Sequence, residues 1–281
     1  VSKEQKKQHP KVAAVQMASG PNVNANLIEA GRWIGRAAQD GAQMVVLPEN
    51  FAIMGMKESD KVGVRESEAG GPIQEFLAEQ AEKNRIWLVG GTTPMVAKSD
   101  NKIKAACLIY NSEGELVARY DKTHLFDVRI ESTEENYAES ETIEAGEEVV
   151  VIDTPFGRLG VAICYDLRFP ELFRNMLDQG AQIIALPAAF TATTGKAHWE
   201  ILVRARAIEN LSYIVAANQG GYHVNGRESH GDSMIVDPWG NVLDRLVSGS
   251  GYVMAEINLD IQANTRQKFP VVQHRRFSCV I

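Results

Sequence analysis

Two stretches of this chain repeat each other. Gly41-Ala-Gln-Met-Val-Val-Leu-Pro-Glu-Asn-Phe51 and Gly180-Ala-Gln-Ile-Ile-Ala-Leu-Pro-Ala-Ala-Phe190 share their opening residues, an apolar run ending in Leu-Pro, and a Phe at the same offset. Each follows a segment with helical periodicity. A short apolar run bounded by Gly and Pro reads as a strand covered on both faces. Such a strand, repeated together with its helix, implies two related halves facing each other across a sandwich. The halves differ at one position of chemical interest: Glu49 stands where the second copy has Ala188. The Leu-Pro backbone does not require that carboxylate, so chemistry explains it better than architecture.

The rest of the chain alternates in the same way. Lys11-Val-Ala-Ala-Val-Gln-Met17 reads as a strand and 24–42 as an amphipathic helix. Strands are expected at 44–51 and 86–90, with a helix at 72–85 whose first turn accepts Pro72. Segments 103–110 and 115–120 read as a hairpin, and so do 149–153 and 158–163 around Pro155-Phe-Gly157. Helices at 170–178 and 196–211 flank a strand at 182–186, and strands follow at 213–218, 233–236, 241–246 and 252–257. This mixture implies an α/β layered fold with parallel and antiparallel pairing. Two long irregular loops, 52–71 and 123–146, are expected to be functional.

No Gly/Ser or Pro linker divides the 281 residues, so one domain over 1–281 is expected. Residues 1–10 are polar without an apolar core and read as a flexible lead-in, not a secretory signal. The net charge of −7 argues against a general nucleic-acid or anionic-membrane binder, and no apolar run reaches membrane-spanning length. Cys107, Cys164 and Cys279 are an odd set in a chain too long to need disulfides, which fits a reducing, cytoplasmic setting. They lack the spacing of metal ligands, and no metal is expected.

Cys164 lies in Gly160-Val-Ala-Ile-Cys-Tyr-Asp-Leu-Arg-Phe-Pro-Glu171, an apolar strand entering a polar turn and then a helix. A thiol at that joint sits on a rigid support facing free backbone N–H groups and the positive end of a helix, which favours a thiolate and an adjacent oxyanion. The alternative is a small core residue, as Cys107 is expected to be. Glu49 at its strand end is either a surface carboxylate or a partly buried general base. Lys122, where a strand breaks into the second long loop, is either solvated or catalytic. Three strand ends thus present an acid, an amine and a thiol, and layered α/β folds assemble sites at strand ends.

Leu47-Pro-Glu-Asn50, Asp121-Lys-Thr-His-Leu125 and Ala162-Ile-Cys-Tyr-Asp-Leu-Arg-Phe-Pro-Glu171, in that order, resemble the nitrilase (carbon–nitrogen hydrolase) superfamily. The resemblance runs from about Lys11 to the end. It implies a four-layer α-β-β-α sandwich with mixed sheets, and a catalytic triad of Glu49 as general base and acid, Lys122 as oxyanion stabiliser or proton donor, and Cys164 as nucleophile. A supporting glutamate before the third motif transfers to Glu139, with Glu141 and Glu144 nearby. The Tyr165 N–H is expected to bind the oxyanion. The resemblance implies no metal or organic cofactor, a small-molecule amide as substrate, and a homodimer or larger homo-oligomer.

Leu186-Pro-Ala-Ala-Phe190, Thr194-Gly-Lys-Ala-His-Trp-Glu200, Arg204-Ala-Arg-Ala-Ile-Glu-Asn210 and Phe269-Pro-Val-Val-Gln-His-Arg-Arg276 are similar to one amidase branch, that related to the nitrilase partner of the Fhit fusion protein. It implies cleavage of deaminated glutathione to 2-oxoglutarate and cysteinylglycine, and a C-terminal tail from about residue 262 at a subunit contact. An ω-amidase on 2-oxoglutaramate and an N-carbamoyl amino acid hydrolase are the near alternatives; an inactive interaction module is the different class. For a dicarboxylic substrate the cationic candidates are Arg129, Arg168, Lys196, His198 and His223. Arg168 could instead brace its turn through an ion pair, Arg204 and Arg206 read as salt-bridged, and Trp199 reads as packing. A thiol redox protein lacks its CxxC partner, and a dinucleotide fold lacks GxGxxG after a strand.

Overall fold

The computed structural model describes residues 9–130 and 135–278; most of the expected lead-in, and Cys279, lie outside them. The chain opens with β1 (Lys11–Gln16), α1 (Val23–Gln39), β2 (Ala42–Val46), the single turn α2 (Asp60–Gly63), α3 (Pro72–Asn84), β3 (Trp87–Val89) and β4 (Thr93–Val96). Next come β5 (Ile103–Tyr110), β6 (Leu116–Asp121), β7 (Asp127–Ile130), β8 (Glu135–Ala138), β9 (Val151–Thr154), β10 (Gly157–Val161), α4 (Pro170–Asp178) and β11 (Ile183–Ala188). It closes with α5 (Ala192–Asn210), β12 (Tyr213–Asn218), β13 (Gly220–Tyr222), β14 (Glu228–His230), β15 (Ser233–Val236), β16 (Val242–Leu246), β17 (Gly251–Glu256) and α6 (Leu259–Lys268).

Two mixed sheets carry the fold. One has the order β17-β1-β2-β3-β5-β4, with β6 also on β5; the other has the order β16-β15-β12-β11-β10-β9. The repeated segments become β2 and β11. Each is the middle strand of a parallel trio, β1-β2-β3 in one sheet and β10-β11-β12 in the other. Alternation along the strands builds the layers. Val12, Ala14, Met44 and Val46 face the second sheet and share a core with Leu159, Ile183 and Ala185. Ala13, Val15, Val45 and Leu47 point the other way, against Leu27, Ile34 and Leu77 of α1 and α3. Phe173 of α4 and Trp199 and Val203 of α5 cover the far face of the second sheet. The architecture is the expected α-β-β-α sandwich.

The differences from expectation are local. The first helix stops at Gln39, because Gly41 turns the chain at φ 98° and Ala42 already belongs to β2. The helix expected at 196–211 starts at Ala192, where the Thr191 side chain caps the Thr194 N–H. The loop at 52–71 contains α2, and the loop at 123–146 contains the β7–β8 pair. The expected tail begins inside the helix α6, which docks on its own chain. Its Gln262 donates to the carbonyls of Gln182 and Leu211, and Arg266 donates to those of Ala181 and Leu211. Leu211 lies where α5 ends, and Ala181 and Gln182 lie in the link from α4 to β11, so α6 ties these two connections together. Among the described residues no helix is long and apolar enough to cross a membrane.

Candidate active site

Glu49, Lys122 and Cys164 leave three different strands and meet at one end of the sandwich, lining one pocket. The Lys122 ammonium, 1% exposed, sits between two carboxylates, 2.7 Å from Glu49 Oε1 and 2.8 Å from Glu139 Oε1. Glu139 opens a 3-10 turn, Glu139–Glu141, and also accepts the Phe126 N–H at 2.6 Å. Neither Glu141 nor Glu144 lines this pocket. Burial alone would push the Lys122 pKa down, but the charges of Glu139 and Glu49 override it and hold the group well above the ordinary lysine value. Lys122 therefore stays an ammonium ion.

Cys164 differs from the expected thiolate. Burial, and then the charge and hydrogen bond of Glu49, push its thiol well above the ordinary cysteine range; Lys122 and a backbone hydrogen bond from Ala189 oppose this. That direction favours the thiol form beside the Glu49 carboxylate, and a nucleophile in this position would have to give up its proton to a neighbouring base. Nor does a long helix start at the sulfur. Cys164–Arg168 is a 3-10 turn, and α4 begins separately at Pro170. Cys164 itself has φ 48°, a left-handed conformation that costs a non-glycine residue on the order of 1–3 kcal/mol and is held by its surroundings.

Those surroundings are a set of buried polar residues. The fully buried Asp166 carboxylate accepts from the Ile163 N–H at 2.8 Å, the Tyr120 hydroxyl at 2.7 Å and the His124 N–H at 3.0 Å, with His124 Nδ1 at 2.7 Å. It thus ties the residue before Cys164 to residues on both sides of Lys122. Arg206 of α5, buried, donates to the Leu167 carbonyl in the same turn. Gln219 donates to the Glu49 carbonyl at 3.0 Å, and Thr92 Oγ1 accepts the Asn50 N–H at 2.8 Å. Two glycines approach these backbones where no side chain fits. A Cβ at Gly91 would come within 2.2 Å of the Pro48 carbonyl oxygen, and one at Gly146 within 2.1 Å of that of Asp121.

The pocket holds about 830 Å³ of empty space, the open solvent at its mouth included. Arg168 lines it beside Tyr165. Among the described residues Arg168 makes no ion pair. Its guanidinium lies over the rings of Phe190 (5.3 Å) and Tyr165 (5.8 Å), with Nη1 3.3 Å from His198 Nδ1. A cation held by ring faces and a histidine keeps its charge available to a ligand. His198 does not line the pocket and reaches it only through Arg168. Arg129 and Lys196 are exposed and outside it. His223 is buried between the Ser19 carbonyl and Ser229 Oγ, and burial lowers its pKa. Trp199 is packing, with its indole N–H on the Asp232 carbonyl, and Arg204 and Arg206 pair with Glu200 and Glu209.

A buried thiol, a carboxylate beside it and a fixed ammonium ion suit acyl transfer. Residues 11–267 match the carbon-nitrogen hydrolase family. The chain belongs to that family. It is therefore a hydrolase of amide carbon–nitrogen bonds. This carbon–nitrogen hydrolase is 42% identical over 267 residues to the deaminated glutathione amidase of Yersinia enterocolitica, covering 95% of the chain and 93% of that protein. Its fold superposes on the crystal structure of the Caenorhabditis elegans NitFhit protein with a TM-score of 0.89 at 38% identity, over 96% of this chain and 66% of that one. It superposes on Saccharomyces cerevisiae Nit3, a member of branch 10 of the nitrilase superfamily, with a TM-score of 0.85 at 33% identity, over 99% and 100% of the two chains.

The supporting residues of this hydrolase are ones that sequence reasoning missed. Asp166 carried a signal, being the one charged residue between Gly160 and Leu167 and two positions after Cys164. Gln219 and Thr92 carried none, because their partners lie 170 and 42 residues away in the chain.

Proposed function

We propose that Cys164 is the nucleophile, Glu49 the proton carrier and Lys122 the oxyanion partner in hydrolysis of a small amide, with deaminated glutathione as substrate. The observation that carries this reading is the buried contact of Lys122 with Glu49, with Cys164 opening on the same pocket. Glu49 takes the thiol proton as sulfur adds to the amide carbon. The oxyanion is met by the Lys122 ammonium and by the Tyr165 N–H at the start of the 3-10 turn, where amides have no acceptor within the turn. Collapse breaks the carbon–nitrogen bond, and Glu49 gives its proton to the departing amine. Glu49 then deprotonates water, which attacks the thioester, and the acid and the free thiol are regenerated. Glu139 holds Lys122 in place from the side opposite Glu49.

The amidases that the chain resembles support the substrate, and so does Arg168. It stands four residues after Cys164, beside whatever acyl group is attached there, and suits the carboxylate of a 2-oxo acid. His198 steadies it. The products are 2-oxoglutarate and cysteinylglycine. Turnover of deaminated glutathione, 2-oxoglutaramate, an N-carbamoyl amino acid and a simple nitrile should be compared with that of Cys164→Ala. Deaminated glutathione is expected to be the best substrate of the wild type and inert with the variant. Preference for another substrate overturns the assignment, and wild-type turnover by Cys164→Ala overturns the mechanism.

We also place the protein in the cytoplasm, in keeping with the free thiols of Cys107 and Cys164, and as a homodimer or larger assembly. Exposed Ile201 and Ile208 on α5, with Trp239, Phe269 and Phe277, support an assembly that includes the C-terminal segment. A monomer by light scattering at micromolar concentration would contradict it.

A further inference from the structure

The pocket has a second cationic wall, distant in sequence from the nucleophile turn and built from loops. Arg227, between β13 and β14, places Nη1 2.6 Å from Glu58 Oε1, and its guanidinium lies 4.7 Å from the centre of the Tyr137 ring on β8. Lys61 of α2 places Nζ 2.9 Å from the other oxygen of Glu58. Glu58, Lys61, Tyr137 and Arg227 all line the pocket that Cys164 lines. One carboxylate therefore serves two cations; Glu228, next to Arg227 in the chain, also lines the pocket but is exposed to solvent. The Lys61 side chain is only 5% exposed, and among the described residues Glu58 is its one hydrogen-bond partner. A buried ammonium ion has three N–H donors and is costly to leave under-satisfied. Its remaining donors, beside a bidentate-capable guanidinium, are suited to an arriving carboxylate.

We propose that Lys61 and Arg227 form the subsite for a carboxylate on the departing amine. This rests on the proposed substrate, which carries a carboxylate at each end of its scissile amide. Arg168 stands on the nucleophile turn and serves the fragment that stays bound to sulfur. The loop wall is left for the fragment that departs, here the glycine carboxylate of cysteinylglycine. Glu58 keeps the two cations in register while the subsite is empty. The same wall would make the enzyme selective: an amide that releases ammonia gains nothing from it.

The test compares deaminated glutathione, the same compound with its glycine carboxylate converted to an amide, and 2-oxoglutaramate. The wild-type enzyme is expected to lose about tenfold or more in kcat/KM when the glycine carboxylate is amidated, as for a lost hydrogen bond to a charged group. Arg227→Gln and Lys61→Met are each expected to lower the ratio of kcat/KM for deaminated glutathione over 2-oxoglutaramate about tenfold, mainly through KM. Equal turnover of the acid and the amide by the wild type overturns the proposal, without recourse to any variant. So does an equal loss on all three substrates in both variants, which would make the cluster a brace between loops. Wild-type turnover of an N-carbamoyl amino acid but of none of these three overturns the substrate assignment itself, and the subsite falls with it.

Discussion

Lys122 Nζ lies 2.7 Å from Glu49 Oε1, and both side chains are almost wholly buried. Glu139 contacts the same ammonium ion from within 2.9 Å through both oxygens. Two carboxylates, Glu49 buried and Glu139 with 12% of its side chain exposed, thus depend on one cation. Lys122→Met removes that cation and leaves both anions without a partner charge. Breaking a buried ion pair from one side costs about 3–5 kcal/mol, so a large drop in Tm is expected along with loss of hydrolysis. Adding Glu139→Gln to Lys122→Met should recover part of the Tm and none of the activity. Thermal melts and amidase assays on the three proteins check this.

Glu49→Gln separates the two roles of the carboxylate. The amide oxygen still accepts from Lys122, so the fold should hold, but the proposed proton carrier is lost. Losing a general base typically lowers the rate by about 10²–10⁴-fold, here expected in kcat. The sign of the effect on Cys164 is opposite. The negative charge of Glu49 helps to hold that thiol in its protonated form. Without it the thiol should ionise at a lower pH than in the wild type, as followed by thiolate absorbance or by the pH dependence of alkylation. An inactive enzyme with a more acidic cysteine is the expected signature.

Much of this site was legible before the fold was known. The three motifs sit where apolar strands break, and that pattern alone brings Glu49, Lys122 and Cys164 to strand ends. The paired halves followed from β2 and β11, whose apolar runs end in the same Leu-Pro. Other features were hidden for physical reasons. β4 is a four-residue edge strand interrupted by Pro94, and the three-residue strands β13 and β14 lack apolar alternation. α6 reads as tail because it is mostly polar, yet it docks through Gln262 and Arg266 onto backbone carbonyls. The state of the Cys164 thiol is not legible in the sequence, because strand and turn are local whereas the burial of the sulfur and the Glu49 charge beside it come from the tertiary fold.

Asp166 acts on the site through the backbone. Its two oxygens receive the Ile163 N–H, the Tyr120 hydroxyl and the His124 N–H, so every lone pair facing them matters. Asp166→Asn keeps one oxygen and turns an NH2 group toward donors that need an acceptor. Hydrogen bonds to a charged group contribute about 1.5–3 kcal/mol each, so a clear loss of stability is expected. Because the bonds hold Cys164 and Lys122 in register, kcat should fall about 10- to 100-fold with KM little changed. Steady-state kinetics of the folded variant at low temperature provide the check; an unchanged kcat would show that the turn keeps its geometry without the carboxylate.

Glu58 links stability to acid. The charge of Lys61, aided by Arg227 and opposed by burial, lowers its pKa from the ordinary 4.5 to about 2. A carboxylate whose folded-state pKa is depressed contributes stability that is fully present above its unfolded value and is lost as pH falls toward the folded one. The contribution of Glu58 should therefore hold above pH 4.5 and fade between 4.5 and about 2. Its side chain is 36% exposed, so solvent screening makes the effect smaller than the shift alone implies. Glu58→Gln is expected to be less stable than wild type at neutral pH, with the gap between their melting curves closing as the pH is lowered through that window. A gap that stays constant across it would show that the carboxylate charge contributes nothing, and that the three loops meet without help from the ion pairs.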